Sequence, residues 1–216
     1  MVPRPERLAL LIAHPQDGPT TVTASYTGFL TGVGINASGF AVGAQSTFAE
    51  DSRIGVPRAF VSRNALCAEN VLAAVDAARA EGRAGGYGYV LSTLGRHRVL
   101  ETSATDAAPV SVATAAAHTN HYVSGLRALA RRESPESELR LERASRAVEA
   151  VELGSLSDCR ALLTTDGFRP CEPGESETIF GLACDLATGE ACVSDGDPRE
   201  GRWTSFRVPG FTAERD

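Results

Sequence analysis

The chain has no lysine. Its 21 basic residues are all arginines, set against 27 acidic ones for a net charge of −6. The densest arginine cluster, Arg127 to Arg146, alternates with glutamates as a solvated helix face does. Phosphate binding wants a basic patch, so no nucleic-acid partner is expected. No apolar run approaches the roughly 20 residues that cross a bilayer. The start, Met1 to Arg7, lacks the apolar stretch of a signal peptide. The expectation is therefore a cytoplasmic protein with no membrane partner. Five cysteines (Cys67, Cys159, Cys171, Cys184, Cys192) are odd in number and irregular in spacing. Neither a CxxC zinc pattern nor a disulfide framework emerges, and reduced thiols are expected. Glycines 28, 32, 34, 39 and 43 match no phosphate-loop spacing and read as close backbone packing or bulges. No metal and no cofactor is expected.

What is present fits one globular domain over residues 1–216, with 43% hydrophobic content and room for a core. Arg7 to Ala13 and Thr20 to Thr27 read as a first hairpin. A second is centred on the turn Asn36-Ala-Ser-Gly39. Gly55-Val-Pro57 opens a helix to about Leu66, because proline suits a first helical turn. Asn70 to Glu81 is an amphipathic helix with apolar positions 71, 72, 75 and 78, capped by Asn70 and stopped by Gly82. Strands follow over Gly86 to Leu94, His97 to Ala104 and Pro109 to Ala115. Ser134-Pro135 starts a helix to about Val151, and a short helix spans Leu156 to Leu163. Strands close the chain at Ser176 to Asp185, Glu190 to Ser194 and Trp203 to Val208. This order predicts an α+β fold of stacked, mainly antiparallel sheets rather than a parallel βαβ series.

The densest chemistry lies in His118-Thr119-Asn120-His121-Tyr122. It gathers two imidazoles, a carboxamide, a hydroxyl and a phenol, groups that orient substrates, donate to oxyanions or move protons. It holds no strong nucleophile. Asn120 also suits a plain turn role, with its amide satisfying local backbone. The histidine pair has no nearby Cys, Asp or Glu and makes a thin case for a metal. Strand alternation puts His97, Glu101 and Ser103 on one face. No oxyanion donor or sharp nucleophile turn accompanies them, which argues against a hydrolytic triad.

Several stretches share their order with one family. They are Gly32-Val-Gly34-Ile-Asn36-Ala-Ser-Gly39-Phe-Ala-Val, Gly55-Val-Pro57, Leu100-Glu-Thr-Ser103, His118-Thr-Asn-His121, Ser137-x-x-Arg140-x-x-Arg143, and Thr178 to Asp185 leading to Gly196-Asp-Pro198. Over most of residues 7 to 208 the chain resembles the isopenicillin-N acyltransferases, a family of N-terminal-nucleophile cysteine hydrolases. The resemblance implies a four-layer αββα sandwich. It also implies an autoprocessed N-terminal cysteine whose thiolate attacks an amide or thioester and passes the acyl group to water or an amine.

By position, Asn120 would be the oxyanion-hole side chain. Ser103 would match a family serine near the site, and Ser176 the serine of a late Ser/Arg pair. Glu175-Ser176-Glu177 supplies no arginine there, and Glu172 follows Cys171 where many members carry one. His118, His121 and Tyr122 would bind substrate or brace Asn120. The chain starts after the family's nucleophile segment, so the expectation is a sheet missing its first hairpin. A Cys nucleophile would then come from outside this chain, on a separate segment, and the chain alone would be inactive. The implied substrate is a small acylated amine or peptide: an N-acyl amino acid, a peptide or a β-lactam amide. Two other readings stand beside it: a non-catalytic homologue that binds acylated amines, and a truncated gene product whose exposed sheet edge favours self-association.

Overall fold

A computed structural model describes residues 8–111, 116–152, 154–165, 168 and 178–212. Seven strands pair in chain order as one antiparallel meander: β1 (Leu8–Ala13), β2 (Thr21–Tyr26), β3 (Gly34–Asn36), β4 (Ala41–Ser46), β5 (Tyr87–Thr93), β6 (Arg96–Thr102) and β7 (Ala107–Val110). A second antiparallel sheet has the order β10-β9-β8, from Arg202–Arg207, Glu190–Asp195 and Leu182–Cys184. The helices are α1 (Arg58–Leu66), α2 (Val71–Ala78), α3 (Pro135–Ala150) and α4 (Leu156–Leu163).

Side chains alternate across a strand, and the two faces of the large sheet bury different partners. Val42, Tyr89, Leu91 and Leu100 face α1 and α2, packing on Val61, Ala65, Leu66, Ala74 and Ala78. On the opposite face, Val22 and Ile35 meet Cys184, Phe206 and Val208 of the small sheet and the loop after it. The outer side of the small sheet carries α4, whose Arg160 guanidinium lies 5.0 Å from the Trp203 ring centre. The layers therefore run helix, sheet, sheet, helix, an α+β sandwich as the sequence predicts.

Local features show why the chain takes this course. A Cβ at Gly32 would lie 2.1 Å from the Ser62 carbonyl carbon, so only glycine lets α1 approach the β2–β3 loop. Asn36 is fully buried and does more than turn the chain. Its Nδ2 donates to the carbonyls of Leu66 and Ala68, both at 2.9 Å, which ties the end of α1 to the second hairpin. Its Oδ1 accepts from Ser38 and Phe40 N–H within that hairpin. In α2, Asn70 accepts the Ala73 N–H as a cap. The buried stripe there is Val71, Ala74, Val75 and Ala78, not the set that includes Leu72, which is 74% exposed. The 71, 74, 75, 78 spacing is the narrower helical stripe, and small alanines let the helix sit close to β5. Ser134 stands at the start of α3 with Pro135 at the first helical position, but its hydroxyl makes no capping bond. The final meander is shorter than expected: β8 covers only three residues, and positions 169–177 lie outside the described residues.

Among the described residues β1 is an edge strand that pairs only with β2, and Leu10, Leu11 and Ile12 on it are exposed. No described helix is long and apolar enough to cross a membrane.

Candidate active site

The segment from 116 to 124 crosses the face of the large sheet opposite α1 and α2. β4, β5 and β6 set its floor. Register places Gln45, Gly88 and Glu101 side by side on three adjacent strands. Gly88 leaves a space there, and the His118 ring fills it. A Cβ at position 88 would lie 2.1 Å from His118 Cε1. His118 Nε2 then donates to Glu101 Oε1 at 2.8 Å. Glu101 is fully buried and also accepts the N–H groups of Val123 at 2.7 Å and Ser124 at 2.9 Å. Burial pushes its pKa up, but the bonds from His118, Ser124 and Val123 outweigh that and hold it below the ordinary carboxylate value. The carboxylate is therefore ionised near neutrality and anchors both ends of the turn.

Asn120 sits on that anchored turn beside the end of β4. Its backbone N–H donates to Ser137 Oγ at 2.7 Å, and Thr119 Oγ1 donates to the Ser137 carbonyl at 2.9 Å. His121 Nδ1 lies 2.9 Å from the same hydroxyl. Burial holds the His121 pKa below its usual value, with Glu138 opposing and His118 adding to the shift. Ser137 on α3 is thus the post to which three residues of the turn are tied. Tyr122 donates its phenol to the Thr102 carbonyl at 2.9 Å and packs its ring on Ala49 and Leu126. Burial raises its pKa, so the phenol stays protonated in that role.

The Asn120 carboxamide is held in one orientation. Arg140 donates to Oδ1 at 3.0 Å, and Nδ2 donates to the Ser46 carbonyl at 3.2 Å. A guanidinium has no acceptor and a carbonyl no donor, so a flipped amide would lose both bonds. Arg140 is itself fixed by Glu136 one turn earlier on α3. The second Nδ2–H has no partner among the described residues. Asn120 lines two cavities. One of about 500 Å³ lies between β4–β5 and α3, bounded by Gln45, Val90, His118, Arg140 and Ala144. The other, of about 360 Å³, is bounded by Phe48, His121, Arg127, Arg132 and Glu138. This arrangement can donate to a developing oxyanion from a carboxamide already polarised by a cation.

Of the residues singled out in the sequence, His118, Asn120, His121 and Tyr122 come together here. Ser103 lies elsewhere. It leaves the end of β6, is fully buried, and donates to Asp51 Oδ2 at 2.7 Å. Asp51 also accepts from Thr105 Oγ1 and from the N–H groups of Ala104 and Thr105. Burial alone would raise the Asp51 pKa, yet the bonds from Ser103, Thr105 and Ala104 bring it below the usual value. Ser103 lines neither cavity that Asn120 lines. Ser176 lies outside the described residues. The members that the sequence did not single out as site residues are Gln45, Gly88, Glu101, Ser137 and Arg140. Ser137 and Arg140 stand three residues apart on one helix face, a signal readable once α3 is known to face the turn. Among the described residues no group of three or more His, Cys, Asp or Glu side chains is arranged to hold a metal ion. Among the described residues no cysteine lines either cavity. Burial pushes the Cys184 thiol up to about 12 and raises Cys159 and Cys192 as well, the reverse of an activated nucleophile.

The layers form an α+β sandwich like that of the N-terminal-nucleophile fold, with a fixed carboxamide on the face of its large sheet. The acyl-coenzyme A:6-aminopenicillanic acid acyl-transferase family matches residues 6–199, and the chain belongs to that family. A comparison with curated proteins gives no match.

Proposed function

We propose that this chain forms the oxyanion-stabilising and substrate-binding part of an acyltransferase or amidohydrolase. It acts on the amide of an N-acyl amino acid, a peptide or a β-lactam. The observation that carries this reading is the locked carboxamide of Asn120, a residue that borders two cavities and keeps a second Nδ2–H unpartnered among the described residues. In the tetrahedral intermediate that N–H donates to the oxygen bearing the new negative charge. Arg140 on Oδ1 strengthens it as a donor without entering the reaction. The nucleophile on this reading is a cysteine thiolate supplied from outside this chain. Family membership supports an acyl-transfer role, and the raised pKa values of Cys159, Cys184 and Cys192 argue against those three as the attacking thiol.

Two measurements test this. Translation of the DNA upstream of Met1 should reveal an in-frame or adjacent segment with a cysteine followed by an Asn-x-Asp-type motif; its absence would remove the catalytic reading for this locus. With that segment present, Asn120→Ala should lower turnover of an N-acyl amino acid by about 10²–10³-fold while folding persists. Undiminished turnover would take Asn120 out of the chemistry.

A further inference from the structure

A third cavity, of about 330 Å³, lies beyond the end of β4, bounded by Phe48, Ser52, Pro57, Arg58, Gly86 and Arg131. Asn120 does not line it. Its charged residues are Arg58 and Arg131, and among the described residues no Asp or Glu lines it. In a chain with 27 acidic residues against 21 basic ones, a cavity charged by cations alone is unexpected. The neighbouring cavity of about 360 Å³ shows the ordinary arrangement, with its Arg127 paired to Glu138.

Both arginines are positioned without a carboxylate. Arg58 opens α1, and its Nη1 donates to the Gly86 carbonyl at 3.2 Å and, more weakly, to the Thr47 carbonyl at 3.4 Å. Its guanidinium carbon lies 4.4 Å from the centre of the Tyr87 ring. Those contacts occupy one arm of the fork, and Nε and Nη2 make no hydrogen bond among the described residues. Arg131 is set by its backbone. Its N–H donates to the Phe48 carbonyl at 2.8 Å, and Ala130 beside it forms an antiparallel bridge with Ala49. The Arg131 side chain is exposed and has no hydrogen bond or ion pair among the described residues. The acids nearest in the chain do not answer these charges. Glu50 and Asp51 do not line the cavity, Asp51 is taken up by Ser103 and Thr105, and the first turn of α1 carries no acidic residue.

Two cations on one space repel each other, and an anion between them reverses that cost. The planar fork of arginine matches the oxygens of a carboxylate or a phosphate. Phe48, Ala49, Pro57 and Ala84 give the same cavity apolar walls, which suit a short hydrocarbon stem. We infer that this cavity binds a small organic oxyanion, a carboxylate or a phosphate monoester on a short apolar stem, between Arg58 and Arg131. The site is independent of the acyl-transfer reading. Phe48 and Arg131 also border the cavity of about 360 Å³ that Asn120 lines, so the anion sits beside the candidate active site without entering it.

Binding tests this with no turnover required, so its failure and that of the catalytic reading are separable. The purified ¹⁵N-labelled chain is titrated with acetate, propionate, inorganic phosphate and ethyl phosphate, at an ionic strength held constant with sodium chloride. The amide signals of Gly85 and Gly86 and the Nε–H signal of Arg58 should move. Propionate should bind about fourfold tighter than acetate, and ethyl phosphate tighter than phosphate. The tighter of the two pairs identifies the oxyanion as carboxylate or phosphate. Arg131→Gln touches no bond that holds the fold, and it should weaken the preferred anion about tenfold. Arg146→Gln makes the same charge change on α3 outside the cavity and should leave affinity unchanged. Unmoved signals at Gly85, Gly86 and Arg58, binding indifferent to the stem, full affinity in Arg131→Gln, or an equal loss in Arg146→Gln would each overturn the assignment.

Discussion

Glu101→Gln is the sharpest test of how the turn bearing Asn120 is held. The carboxylate is fully buried and accepts three hydrogen bonds, from His118 Nε2 and from the N–H groups of Val123 and Ser124. Glutamine has nearly the same shape, but only one of its two polar ends accepts. Its carbonyl keeps the bond or bonds on one side, and its NH2 confronts a donor on the other. With one or two bonds to a charged group lost, at about 1.5–3 kcal/mol each, and a donor left facing a donor, the expected cost is about 3–5 kcal/mol. Urea unfolding, followed by circular dichroism and the fluorescence of Trp203, gives the shift in midpoint at unchanged slope. The pH dependence adds a second check. Because the folded-state pKa lies below the ordinary 4.5, this stabilisation is fully present above about pH 4.5 and is lost as the pH falls through the folded value. The difference between wild type and Glu101→Gln should therefore be constant near neutrality and shrink on acidification below pH 4.5. A cost under about 1 kcal/mol, or a difference that widens in acid, would refute the view that an ionised Glu101 organises the turn.

Gly88→Ala should expel the His118 ring from its place and cost about 1–3 kcal/mol, with the Glu101–His118 bond lost; an unchanged His118 ring spectrum would contradict the packing described. Ser103→Ala removes a donor from Asp51 and should cost about 1–2 kcal/mol, read as a shift of the urea midpoint. An unchanged midpoint would show that the Asp51 carboxylate does not depend on that hydroxyl. Towards a thiol reagent at pH 8, Cys184 and Cys192 should stay unmodified until the chain unfolds, since burial raises both thiols; rapid labelling of either in the native protein would be incompatible with their positions.

What the sequence made legible was whatever repeats locally. The span of α4, Leu156–Leu163, and the cap at Asn70 follow from residues a few positions apart. The hairpins follow from alternation and turn residues. Ser103 shows where that reasoning stops. Strand alternation put it on one face with His97 and Glu101, but β6 ends at Thr102 and the serine turns toward Asp51, a partner 52 positions earlier. No periodicity points across that distance. Asn36 teaches the same lesson in the other direction. Its turn role is local and was readable, while its hold on the end of α1 depends on carbonyls 30 and 32 residues away.

The two histidines of the 118–121 stretch look equivalent in sequence, and the fold separates them. His121 works through Ser137 on α3 and braces Asn120 from the helix side. His118 works through Glu101 on β6 and is seated by Gly88 on β5. Neighbours so close in the chain thus fasten one turn to two different elements, α3 and β6. A glycine inside a strand is the sequence-level trace of the second arrangement, since it marks a place where something must come close to the backbone. What it cannot reveal is the register that lines Gln45, Gly88 and Glu101 across three strands. A one-residue slip of β5 against β6 would turn Glu101 away from the face that carries the 116–124 segment and leave His118 without its carboxylate. The seat of His118 is therefore a property of the sheet's register, with no counterpart in any single stretch of the chain.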